Sequence, residues 1–367
     1  MNRSDLFDAI KKYDFSFFGI STAIFLIGIL NLYSATHATT ESSIYTTQLM
    51  WYLFSLVVGF IVSLIQPKNF FRYAYFAYLT CVVLLALVLV VGQKGMGAQR
   101  WILLGPFRLQ PSELTKIGAV LALSRWFSLH EPDKEMNLKD LILPFIIAFI
   151  PTLLIVVEPD LGTGLLVILI FLVMAFYRRL NLKTITVIVI FGIISGGLMY
   201  QFGLKDYQKK RVMTFIDPSA DAKGSGYNAI QSKIAIGSGQ FLGKGFKKST
   251  QASLNYLPEN HTDFAFSVFN EEHGFIGALF LISLYVILFW RYLWLSQSVS
   301  KIFDSIAAVG LMAIFFWHTF VNMGMVMGLM PVVGLPLPFV SYGGSALLTF
   351  GICNGIATSM SNSRNLF

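Results

Sequence analysis

The residues best placed to do chemistry lie between positions 255 and 277, in NYLPENHTDFAFSVFNEEHGFIG. This stretch holds Glu259, Asp263, Glu271 and Glu272 at the mouth and upper part of a strongly apolar helix. An ionisable group at membrane depth is costly, so each is a functional candidate by default. Pro258 breaks any preceding element. Thr262 is the expected helix N-cap, which puts Asp263 in the first turn, near the positive end of the dipole. That position keeps a carboxylate ionised unless burial wins. Asp263 and Glu271 then line one side of the helix, Glu271 about 12 Å deeper by helical rise. Glu271 and Glu272 read as structural partners of buried basic or polar groups. The plainer reading of Asp263 is that it only caps the helix.

Three further clusters could act with it. In the run 99–116, Pro111 and Ser112 mark a helix start, and Glu113 and Lys116 are spaced to meet on one face. They are either a self-satisfied ion pair or a functional one. Burying such a pair rarely gives net stability, which favours function. Arg100 and Arg108 flank it. In Glu158-Pro159-Asp160-Leu161-Gly162-Thr163, two carboxylates sit at a break between apolar runs. They could hold a divalent cation, or Asp160 could cap the next helix. In 334–345, GLPLPFVSYGGS, proline and glycine preclude regular helix. Irregular backbone at membrane depth is tolerated only where it lines a cavity or packs inside protein. His318 and Asn322 lie on the preceding apolar run, and a lone His there reads as a packed residue.

The elements that must position these groups are membrane helices. Of 367 residues, 55% are hydrophobic and 13% charged, against about 25% charged in soluble domains. Ten apolar runs approach the roughly 20 residues a spanning helix needs: 15–33, 49–65, 74–91, 112–129, 141–157, 161–177, 184–201, 263–290, 303–328 and 340–360. The expected fold is a single all-α polytopic membrane domain over 1–367 with about ten transmembrane helices. The first run lacks a small-residue cleavage site and reads as a retained span. Cys81 and Cys353 lie inside apolar runs, which implies neither a disulfide nor zinc.

Orientation follows from Lys and Arg in short loops. With the N-terminus inside, the cytoplasmic segments hold Arg3, Lys11, Lys12, Lys68, Arg72, Lys134, Lys139, Arg178, Arg179, Lys183, Arg291, Lys301 and Arg364, and the short outer loops only Lys94, Arg100 and Arg108. Both termini are therefore expected inside. The long loop 202–262 lies outside, between the seventh and eighth helices, with nine basic residues against Asp206, Asp217, Asp221 and Glu259. It is either a solvated loop or a basic lid over an anionic ligand. Its Gly237–Gly245 piece lacks the context of a nucleotide-binding loop. Together these clusters point to an anionic, lipid-linked substrate at the outer leaflet, and they do not name the reaction.

Several motifs in order, GAQRWILLGPFRLQPSELTK (97–116), EPDLGT (158–163), IQSKIAIGSGQFLGKGF (230–246), YLPENHTDFAFSVFNEEHGFIG (256–277) and MPVVGLPLPFVSYGGSALL (330–348), make the chain resemble the SEDS family (shape, elongation, division and sporulation) of peptidoglycan glycosyltransferases. The resemblance spans nearly the whole chain and looks nearer to the RodA elongation branch than to the FtsW division branch. One departure is Leu103, where the family often has Asp. The resemblance implies polymerisation of lipid II into glycan strands outside the cytoplasmic (inner) membrane, inverting the donor sugar. A class B penicillin-binding protein, a transpeptidase of the elongation machinery, is the implied partner.

By that resemblance Asp263 is the catalytic Asp, Glu113 and Lys116 the polar pair of a central cavity, and Asp160 the Asp of PDLGT. Asp263 would take the proton of the acceptor sugar hydroxyl. Lys116, oriented by Glu113, would steady the departing lipid diphosphate with Arg100 and Arg108, and Glu259 joins the substrate-binding candidates. A divalent cation, Mg or Mn, could share the diphosphate through Asp160. No organic cofactor and no nucleic-acid partner are implied. The competing readings are a flippase or transporter of lipid-linked precursors, and a non-catalytic scaffold for the transpeptidase.

Overall fold

The computed structural model describes residues 13–37, 43–95, 98–104, 107–130, 135–204, 206–217, 225–254 and 256–364. Arg3, Lys11, Lys12, Lys134, Lys205, Asp221 and Lys223, used above for charge, fall outside the described residues.

Each of the ten apolar runs forms a helix: α1 Ser16–Thr36, α2 Ile44–Ser63, α3 Pro67–Val91, α4 Pro111–Leu129, α5 Ile142–Val157, α6 Leu161–Tyr177, α7 Leu182–Leu198, then α11 Ala265–Ser298, α12 Ile302–Val326 and α13 Gly344–Arg364. Among the described residues, seven helices are long and apolar enough to cross a membrane. The chain is an all-α polytopic membrane protein. Helix α3 starts at Pro67, earlier than the apolar run suggests, because proline at the first helical position carries the helix back through Lys68 and Arg72.

Helix α12 sits at the centre, buried along most of its length, with α4, α6 and α11 packed around it. Helix α13 packs against α2, where Gly59, Gly351 and Gly355 leave no room for a Cβ between the backbones. Such small-residue contacts are how helices associate where lipid removes the hydrophobic driving force.

Two regions depart from the sequence reading. Three short strands, β1 Gln93–Gly95, β2 Ala98–Leu104 and β3 Phe107–Leu109, pair antiparallel in the order β1-β2-β3. The long loop contains two helices, α8 Asp206–Ile216 and α9 Ser225–Ser238, and a single turn, α10, at Thr250–Ser253.

Helix α11 is broken at Gly274 (φ 63, ψ −163), a conformation that favours glycine. The 239–245 loop fills the break. Phe275 N–H donates to Gln240 O (2.8 Å) and Ile276 N–H to Phe241 O (3.1 Å), while Glu271 O and Glu272 O accept from Lys244 N–H and Gly245 N–H, each at 2.9 Å. Two carbonyls before the break and two amides after it are thus answered by one neighbouring segment. The stretch after it, 275–298, is about 36 Å long by helical rise, enough to span hydrocarbon of about 30 Å.

Candidate active site

Asp263 lies just before α11, outside its first turn. Glu259, at φ 54, turns the chain, and its carbonyl accepts from Thr262 N–H and Phe264 N–H, both at 3.2 Å. The Thr262 hydroxyl donates to Glu259 Oε2 at 2.9 Å, so Thr262 does not cap α11, and the helix begins at Ala265 with no side-chain cap. The Asp263 backbone is pinned by Asn322 of α12, whose Nδ2 donates to Asp263 O (3.0 Å) and Leu335 O (2.7 Å). The carboxyl faces the bare backbone of Gly334, where an added Cβ would sit 3.5 Å from Oδ2. It accepts no hydrogen bond from a described residue and is only half-buried. Burial first, then the charge of Glu259, pushes its pKa up to about 6, and Arg211 opposes the shift. It is a carboxylate free to take a proton near neutral pH.

Glu113 and Lys116 meet as expected, Lys116 Nζ 2.9 Å from Glu113 Oε2. Their surroundings were not legible. Lys116 Nζ is also 2.6 Å from His318 Nε2, and His318 Nδ1 is 3.1 Å from Pro336 O. A carbonyl accepts only, so Nδ1 carries the proton and Nε2 accepts from the ammonium. Lys116 and His318 are 0% exposed and Glu113 3%. His318 is therefore not merely a packed residue. No local pattern links it to Lys116, 202 positions away.

Arg100 and Asp160 form a separate cluster. Strand β2 brings Arg100 over the turn between α5 and α6, where Nε donates to Glu158 O (3.0 Å), Nη2 donates to Pro159 O, and Nη1 lies 3.9 Å from Asp160 Oδ2. Asp160 caps α6: Oδ1 accepts from Thr163 N–H (3.2 Å), and Oδ2 from the Thr163 hydroxyl (3.0 Å) and Gln110 Nε2 (3.2 Å). Glu158 beside it is pushed up to about 8 by burial and by Asp160. Its own carboxyl oxygens are buried and accept no hydrogen bond from a described residue. Among the described residues no three His, Cys, Asp or Glu side chains could hold a metal together. Of the two readings of Asp160, the helix cap is the one seen directly. Arg108 is exposed, its carbonyl accepting from Ser345 Oγ at 2.9 Å.

Glu271 is the hub of the loop that fills the α11 break. It accepts from Lys244 Nζ (2.5 Å), Ser249 Oγ (2.5 Å), and Thr250 N–H (3.0 Å) and Oγ1 (2.8 Å). Glu272 accepts from Ser34 Oγ at 2.5 Å. Both are structural partners of polar groups, as the sequence reading had them.

Besides Glu259, the charge acting on Asp263 is that of Arg211, from the long loop. Arg211 of α8 and Lys233 of α9 line one cleft with Met325, Met330, Pro331 and Val332. Arg211 Nη1 lies 3.4 Å from Val332 O, and neither cation forms an ion pair with a described residue. The sequence reading counted both among nine basic loop residues without singling them out.

A family profile described as cell cycle protein, FTSW_RODA_SPOVE, matches residues 14–366. The chain belongs to this family, the SEDS proteins. Relatives in the family include a peptidoglycan glycosyltransferase MrdB of Escherichia coli strain K12, 42% identical over 85% of this chain and 84% of its own. The MrdB of Helicobacter pylori strain 26695 is 35% identical over 98% and 94%. Among solved structures, a chain described under structural coordination of polymerization and crosslinking by a peptidoglycan synthase complex superposes with a TM-score of 0.82 at 30% identity, covering 96% of this chain and 98% of that one. The rod shape determining protein RodA of Thermus thermophilus gives 0.72 at 29%, covering 96% and 97%.

Proposed function

We propose that this chain is a glycosyltransferase that polymerises lipid II at the outer face of the cytoplasmic membrane during elongation, with Asp263 as general base. The relatives named peptidoglycan glycosyltransferase support the reaction class. The observation that carries the residue assignment is the Asp263 carboxyl, half-buried, facing Gly334 and accepting no hydrogen bond from a described residue; its shift to about 6 fits that role. Asp263 takes the proton of an acceptor sugar hydroxyl. The oxygen attacks the anomeric carbon of the donor from the face opposite its diphosphate, and the bond to the lipid diphosphate breaks. One bond forms as one breaks, so the centre inverts. Negative charge grows on the departing diphosphate; the exposed Arg211, whose charge acts on Asp263, and Lys233, which lines the same cleft as Arg211, are the cations proposed to meet it. Lys116 is sealed and already neutralised by Glu113.

Both termini face the cytoplasm in this reading. Arg291, far down α11 from Asp263, gathers the two ends of the chain by pairing with Asp14 and reaching Ser361 Oγ at 3.3 Å. The positive-inside rule assigns that basic end to the cytoplasm. A transpeptidase of the class B penicillin-binding proteins is the proposed partner, supported by the likeness to a chain from a peptidoglycan synthase complex.

The test is lipid II polymerisation by the purified chain with its transpeptidase, wild type against Asp263→Asn. Glycan strands from the wild type and none from the variant are expected. Strands from Asp263→Asn at the wild-type rate would refute the base assignment, and none from either protein would refute the reaction.

A further inference from the structure

We infer that Glu113, Lys116 and His318 act as a positioning unit that holds the wall behind Asp263, rather than as a clamp on the leaving diphosphate; the inference rests on the reaction proposed above. Three observations carry it. The Lys116 ammonium is 0% exposed and spends two of its three donors on Glu113 Oε2 and His318 Nε2. A cation so compensated adds little net charge to a neighbouring anion. The proton on His318 Nδ1 goes to Pro336 O (3.1 Å), within the irregular 334–338 segment. One helical turn along α12, Asn322 holds the same segment at Leu335 O while also holding Asp263 O. Gly334, the segment's first residue, faces the Asp263 carboxyl.

The wall is thus pinned at two successive points from α12, and the lower pin is set by the ion pair on α4. Glycine and proline leave this segment no ladder of its own, so side chains hold it: His318 and Asn322 at its start, and Tyr285 of α11, which donates to Pro338 O (2.6 Å), and Ser341, which accepts from Leu337 N–H (3.0 Å), at its end. Removing His318 leaves an ammonium donor unmet and frees Pro336, and the displacement reaches Asp263 through Gly334 and Leu335. A glutamine can replace the imidazole by accepting from Lys116 with Oε1 and donating to Pro336 O with Nε2.

The experiment uses the full chain with its transpeptidase and compares wild type, His318→Leu, His318→Gln, Lys116→Met and the double variant His318→Leu/Lys116→Met. Four readouts are taken: kcat, KM for lipid II, inhibition by added undecaprenyl diphosphate, and the rate at which a carbodiimide labels Asp263. His318→Leu and Lys116→Met should each lower kcat by about 10- to 100-fold, as small misplacements of catalytic groups do. KM and diphosphate inhibition should stay within about twofold, because neither group meets the ligand. The double variant should be no worse than the worse single, as expected for residues in one network. His318→Gln should recover most of kcat and the wild-type labelling rate. Weakened diphosphate inhibition in Lys116→Met alone would overturn the inference, as would multiplying effects in the double variant. Labelling needs no turnover, so an inactive wild type would count against the proposed reaction while labelling still decides the positioning role. Unchanged labelling in His318→Leu would overturn it.

Discussion

The two ion-bearing regions of this protein are built on opposite rules. Around Lys116 every charge is buried and answered by Glu113, His318 and, through the imidazole, Pro336. Around Asp263 the groups are half-buried or exposed, and the carboxyl, Arg211 and Lys233 have no ion-pair partner among the described residues. A buried charge survives only when paired and hydrogen-bonded. A reacting group must keep a lone pair or a donor in reserve for the substrate. Saturation therefore marks structure and incompleteness marks chemistry, although both regions look alike as short runs of charged letters in an apolar chain.

The sharpest way to break this contrast is Asp263→Asn, which keeps the shape and removes the proposed base. Polymerisation should fall by about 100- to 10,000-fold, the usual contribution of a positioned base, measured as glycan formed per minute. Next is Glu271→Ala, which strips the acceptor from Lys244, Ser249 and Thr250. It should destabilise the fold by about 2–3 kcal/mol, the cost of leaving polar partners unmet, read as a lower Tm. Arg211→Gln and Lys233→Gln should each weaken inhibition by undecaprenyl diphosphate about tenfold, a typical loss for one charge-assisted contact. An unchanged inhibition constant in both would remove the lid from the leaving-group site.

The smallest expected effect is the most specific. As the proposed base, Asp263 acts when deprotonated, so the rate should rise with pH through about 6 and level off above it. Glu259 raises that midpoint and Arg211 lowers it. Glu259→Gln should therefore move the acid limb to lower pH and Arg211→Gln to higher pH, each by less than about one unit, read from pH–rate profiles. Shifts in the same direction would contradict the electrostatics described here.

The helices were legible because each apolar run carries its own evidence; α6, predicted over 161–177, occupies those residues. The Glu113–Lys116 pair was legible because its spacing lies within one helix. What escaped depends on contacts far apart in sequence. Polar α8 and α9 leave no hydropathy signal, and β1, β2 and β3 are three short strands in a segment read as loop. The break at Gly274 needs the 239–245 loop to complete it, and His318 needs Lys116 to give it a role. The expected cap at Thr262 failed because its hydroxyl found Glu259 first. Asp160 could be read two ways, and the cap became visible only through its contacts with Thr163.

Because Gln240, Phe241, Lys244 and Gly245 meet α11 on both sides of Gly274 by main-chain bonds, the fit between them is counted in whole residues. One added or deleted residue between positions 239 and 245 would slide every carbonyl past its amide at once, with no side-chain change able to compensate. The length of that short stretch is thus a harder constraint on how this protein can vary than the identity of most of its letters.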